Sequence, residues 1–118
     1  MMAIGNQTIT FLDYIAYFLA GALLANGVPH FVQGISGNKF PTPLALWQGV
    51  KESSALVNVV WGWINFAIGA WLLHRFSPVR IPPATEPCIT AAFGALACAV
   101  YLAWRFGVAE KKKSRSRK

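Results

Sequence analysis

Charge is what this sequence has least of. Only 13% of its 118 residues are Asp, Glu, Lys or Arg, and just four are acidic, against about 25% charged residues in an ordinary soluble domain. A water-facing surface cannot be built from that supply. Side chains for catalysis or metal binding are equally scarce, with two cysteines and two histidines. Cys88 and Cys98 stand ten residues apart in one helical run, about 15 Å along its axis, whereas a disulfide needs Cα atoms within about 7 Å. They cannot pair with each other and read as small apolar packing residues. No CxxC, HExxH or denser ligand cluster occurs, so no recognised metal site is supported. "GISGNK" lacks the adjacent Gly-Lys that a phosphate-binding P-loop needs. Nothing in this inventory calls for a cofactor.

What is present is apolar. Hydrophobic residues make up 55% of the chain and aromatics 14%, concentrated in three runs: "FLDYIAYFLAGALLANGV" at 11–28, "ALVNVVWGWINFAIGAWLL" at 55–73, and a third over 88–106 that opens with "CITAAFGALACAVYLAW". A membrane span needs about 20 such residues to cross a hydrocarbon core of about 30 Å. None of the runs alternates with the period of a barrel strand, and each is apolar almost all round. The expected fold is an all-α membrane protein with three transmembrane helices. It forms one domain over 1–108, followed by a disordered basic tail at 109–118.

Start signals agree with this division. Thr10 and Asp13 have the spacing of a capping box. Ser53 and Ser54 can cap the second helix, with Glu52 near its positive end, and Thr85-Glu86-Pro87 can open the third. The segment before the first run, "MMAIGNQTIT", contains no Lys or Arg, and a cleaved signal peptide wants a positive leader, so the run reads as a retained span. The tail "EKKKSRSRK" places Lys111, Lys112, Lys113, Arg115, Arg117 and Lys118 close behind the third span. Positive residues in that position are retained in the cytoplasm, which gives an N-out, C-in orientation with the connection 29–54 inside. The same tail resembles a nucleic-acid-binding patch in composition, but behind a span it reads as a topology anchor that attracts anionic lipid at about 1 kcal/mol per residue. The expected partners are the bilayer, its anionic lipids and other membrane subunits or further copies of the chain; no nucleic acid is expected.

A few residues carry whatever chemistry there is. Asp13 lies about one turn inside the first helix and is either the acidic half of the cap or an intramembrane carboxylate with a partner. On the expected topology that partner is His74 or Arg75, which end the second span. His30 and His74 should lie about a bilayer apart, too far to share one haem. Asn58, Gly62, Asn65 and Gly69 follow at spacings of four, three and four, which lines them up on one helix face. Such a stripe either packs the bundle or faces a cavity or partner. Ala16-Ala20, Gly21-Ala25, Ala91-Ala95 and Gly94-Cys98 are small-residue pairs of the kind that lets helices approach closely.

Between the first two spans, Asn26, Gly27 and Pro29 read as a helix stop. The connection 29–54 is too apolar for a free loop, with Phe31, Ile35, Phe40, Leu46 and Trp47 among its residues. It should lie in the membrane interface or fold back as a re-entrant segment. His30, Gly34, Gly37 and Lys39 within it could hold an anion or lipid headgroup. The block "NGVPHFVQGISGNKFPTP", followed by "VNVVWGWINFAIG", resembles a group of small uncharacterised bacterial integral membrane proteins that share a GxPHFxxGxxGxxFPTP-like block. The resemblance covers Asn26 to Gly69. It implies a multi-pass protein of the bacterial inner membrane and brings no activity with it. Three function classes follow: a non-catalytic accessory or assembly subunit, a homo-oligomeric channel or transporter, and an enzyme on lipid headgroups using His30, for which no second catalytic group is evident.

Overall fold

The computed structural model describes residues 8–76 and 85–116. The leader 1–7, the connection 77–84 with Arg80, and the last two tail residues, Arg117 and Lys118, lie outside the described residues.

Helix α1, Phe11–Ile35, opens on the capping box. The Asp13 N–H donates to Thr10 Oγ1 at 3.3 Å and the Thr10 N–H to Asp13 Oδ2 at 2.8 Å. It does not stop at Val28. The helix runs through Pro29 and ends at Ser36, whose N–H reaches back to the Val32 carbonyl at 3.1 Å, followed by Gly37 with φ +79. The connection is therefore shorter than the 29–54 read from sequence. An interior proline removes one helical hydrogen bond and costs about 3 kcal/mol in water. Here the turn beyond it buries His30 and Gly34, and membrane helices tolerate proline because neighbouring groups satisfy the freed backbone.

A one-turn helix α2, Pro43–Trp47, follows, with Thr42 as N-cap accepting from the Ala45 N–H at 3.1 Å and proline in the first turn, where its missing N–H has no helical partner to lose. Helix α3, Ala55–Phe76, starts on Ser54, whose Oγ accepts from the Val57 N–H at 3.2 Å. Helix α4, Thr85–Ser116, has 32 residues and continues past the third span into the basic tail, where the sequence suggests disorder. Ala109, Glu110 and the lysines are strong helix formers, and no Gly or Pro follows Gly107 to break the ladder.

Helix α1 is the middle of the bundle. It packs along α3 on one side and α4 on the other, while α3 and α4 do not pack against each other to a comparable extent. Among the described residues three helices are long and apolar enough to cross a membrane: Phe11–Ile35, Ala55–Phe76 and Glu86–Val108. Their outer faces carry Leu56, Val60, Trp63 and Trp71 of α3 and Phe93, Leu96, Val100 and Trp104 of α4, all exposed. The interior is built from small and polar residues: Ala16, Ala20, Gly27, Gly34, Asn58, Gly62, Asn65 and Gly69 are buried. Large apolar groups outside and small polar ones inside invert a soluble protein, as a hydrocarbon solvent requires.

Candidate functional site

The α3 stripe faces α1. A Cβ placed on Gly62 would lie 2.9 Å from the Gly27 carbonyl oxygen and 2.8 Å from the Phe31 nitrogen, and one on Gly69 would lie 2.9 Å from the Ala20 carbonyl oxygen. Gly34 likewise abuts the backbone of Ala55 and Val59. Partners descend α3 as they climb α1, so the two helices are antiparallel and meet backbone to backbone.

Three polar rungs cross that seam. Near its middle, Asn26 Nδ2 donates to Asn65 Oδ1 at 3.0 Å, and Asn65 Nδ2 donates to the Trp61 carbonyl at 2.8 Å. At one end, the buried Tyr17 hydroxyl donates to the Phe76 carbonyl at 2.8 Å, closing the last turn of α3. At the other end lies the densest cluster. Asn58 is completely buried and His30 is 5% exposed. Asn58 Nδ2 faces the carbonyls of Phe40, Ser53 and Ser54 at 3.0, 3.1 and 3.0 Å. With two hydrogens for three acceptors, one of them is shared. That trio fixes which way the amide points, so Oδ1 faces His30 Nδ1 at 2.9 Å. Because an amide oxygen only accepts, the imidazole must donate through Nδ1.

Around this hub the connection closes on itself. Phe40 and Ser53 form an antiparallel bridge with backbone bonds of 3.2 and 2.9 Å, and the hydroxyls of Thr42 and Ser53 meet at 2.5 Å. The Phe40 ring stands edge-on to His30 at 5.3 Å and against Phe106 of α4 at 4.7 Å. The C-terminal end of α4 therefore lies at the same end of the bundle as the connection, and α4 runs parallel to α1. The two cross where Gly21 and Gly94 bring the backbones together. A Cβ on Gly21 would collide with the Ala91 carbonyl, and one on Gly94 with the Phe18 carbonyl.

The residues singled out in the sequence thus fall into separate places. Asn58, Gly62, Asn65 and Gly69 come together on the α1–α3 seam. His30 and Gly34 join them there: Gly34 faces α3 backbone and His30 faces Asn58. Gly37 and Lys39 are exposed in the turn outside. Asp13 is engaged by its own cap, and no ion pair joins it to His74 or Arg75 among the described residues. The Arg75 guanidinium lies 5.5 Å from the Phe76 ring centroid. His74, in the last turn of α3, and His30, beside its first turn, sit at opposite ends of the bundle. Cys88 and Cys98 are free thiols.

Sequence reasoning missed Asn26, Tyr17, Phe40 and Thr42. Carrying the helical period past Pro29 would have found the first, because Asn26 and His30 are four apart and share a flank. Trp61 is the exception to an otherwise satisfied interior: its indole N–H is buried without a partner among the described residues, a cost of about 1–3 kcal/mol.

Chemically the seam is a clasp. The imidazole's bonded partner is an amide, which neither takes nor gives a proton, and among the described residues no carboxylate is hydrogen-bonded to it. Asp13 belongs to the helix start in the same sense. Replacing it with alanine should lower stability by about 1 kcal/mol, measured by thermal melting in detergent, and asparagine should recover part of that loss. A much larger fall would mean that the carboxylate serves something beyond its cap. Compared with protein-family models, curated proteins and solved structures, the chain matches none.

Proposed function

We propose that this chain is a non-catalytic accessory or assembly subunit of a larger complex, a multi-pass protein of the bacterial inner membrane that packs against other membrane helices. One observation carries the reading. The polar groups of the α1–α3 seam are bonded to one another and to the connection, leaving no free acid–base pair among the described residues, while α4 packs against α1 and leaves its face of Phe93, Leu96, Val100 and Trp104 uncovered. A protein that spends its hydrogen-bonding groups on its own closure and keeps its apolar faces free is suited to being a neighbour rather than a catalyst. The Asn58 and Asn65 side chains point into the bundle, which speaks against their lining a pore. The connection, with Lys39 and Lys51, lies at the same end as the basic extension of α4, and positive residues gathered at one end support a cytoplasmic placement of that end.

Native mass spectrometry of tagged protein, drawn gently from its own membranes, tests the proposal. The expected result is a defined heteromeric mass. A symmetric homo-oligomer, particularly one retaining a small molecule, would overturn it in favour of a channel or transporter.

A further inference from the structure

Among the described residues, the most exposed large apolar side chains are not on a spanning helix. Leu46 and Trp47, 82% and 85% exposed, lie on α2, and Val50 follows them, also exposed. All three belong to the connection between two membrane-length helices. The segment is held firmly: Ala45 on its inner side is fully buried, the Val50 N–H donates to the Ala45 carbonyl at 2.9 Å, and Thr42, Ser53 and Asn58 fasten its base. A tethered turn of this kind keeps its indole facing outward. Tryptophan in that position favours the headgroup level of a bilayer, where its ring is covered and its N–H stays wet.

Charge points the same way. Lys39 and Lys51 are exposed on either side of α2, and Glu52 is the one acidic residue between Ser36 and Ser54. The contact of Phe40 with Phe106 brings the connection to the end of the bundle where α4 passes through Arg105 into its run of lysines. Basic residues beside a span are drawn to anionic lipid.

We infer that α2 is an interfacial anchor: Leu46 and Trp47 insert into the headgroup layer of the bilayer that the helices cross, and Lys39 and Lys51 hold its anionic lipids. The inference rests on the three spans and not on the subunit reading, so either can fail without the other.

The test uses the full chain, reconstituted in vesicles, with a nitroxide on Trp47→Cys in a Cys88→Ala, Cys98→Ala background. Position 47 is exposed, so the label displaces no packing. Collision with oxygen, which concentrates in lipid, is compared with collision with a water-soluble nickel chelate. The expected result is greater accessibility to oxygen than to nickel, increasing when phosphatidylglycerol replaces part of the phosphatidylcholine, with the increase lost in Lys39→Gln, Lys51→Gln. Greater accessibility to nickel would overturn the inference by placing α2 in water. Protection from both reagents would overturn it in favour of a second copy covering the site. A label insensitive to phosphatidylglycerol would remove the anionic-lipid half. If the cysteine background proves unstable, the native chain answers instead. Lipids brominated near the headgroup should quench emission that Trp47→Phe lacks, and equal quenching of the two proteins would reject the anchor.

Discussion

Replacing Gly94 or Gly21 with alanine is expected to loosen α4 from α1. A single methyl group suffices, because what it meets is a main-chain carbonyl, Phe18 for one glycine and Ala91 for the other. A flexible side chain could swing aside, but a helix backbone must move as a whole. Forcing extra atoms into a close-packed contact costs about 1–3 kcal/mol, and these two positions belong at the upper end of that range. Helix α3 offers no relief, since α4 has no comparable contact with it. Gly107 is the control: it lies in the same helix, nothing stands within 4 Å of its added Cβ, and alanine there should stabilise by up to about 1 kcal/mol through helix propensity. Thermal melting of the three variants, with a distance probe between α1 and α4, reads the order. If Gly94→Ala behaves like Gly107→Ala, the crossing is not where the structure places it.

The second large effect is expected from Asn58→Ala. Each carbonyl that Asn58 serves also accepts a backbone N–H: Ser53 N–H to the Phe40 carbonyl, Phe40 N–H to that of Ser53, and Asn58 N–H to that of Ser54. Those acceptors therefore keep one bond each. The His30 Nδ1–H keeps none and is left buried, which costs about 1–3 kcal/mol. With the lost amide bonds, the total should reach roughly 3–4 kcal/mol. The connection should also detach from the helix ends, seen as faster proteolysis between Ser36 and Ser54. A double-mutant cycle with His30→Ala separates the terms. Removing both partners should cost clearly less than the sum of the single changes, because no orphan donor remains. Strict additivity would show that the pair does not interact.

How much of this was readable beforehand follows from what each residue's neighbours supply. The three spans, the Thr10–Asp13 cap and the alignment of Asn58, Gly62, Asn65 and Gly69 depend on local spacing, and the sequence carries that in full. Pro29 misled because its local penalty is real; what outweighs it is the packing of His30 and Gly34 on α3, which is invisible until the two helices are placed side by side. The same holds for how the residues suggested for an anion are divided between the seam and the turn. Gly34 and Gly37 look alike in the sequence, yet one meets a neighbouring backbone while the other turns through φ +79 into solvent. In the sequence, Phe40 is one more apolar residue of the connection and Thr42 carries no signal of its own. Their roles depend on Ser53, eleven residues beyond Thr42, and no periodicity links positions joined by a bridge of that kind.

The central place of α1 also has a consequence for biogenesis. Helix α1 is made before both helices it packs against: His30 waits for Asn58, 28 residues later, and Asn26 for Asn65, 39 residues later. At about 5–20 residues per second of synthesis, that leaves a nascent α1 for roughly 1–8 seconds with its imidazole and carboxamide bare to the insertion machinery or to lipid. Helix α1 is therefore a poor solitary passenger and enters the bilayer best as one half of a hairpin, with release into lipid timed to the arrival of α3.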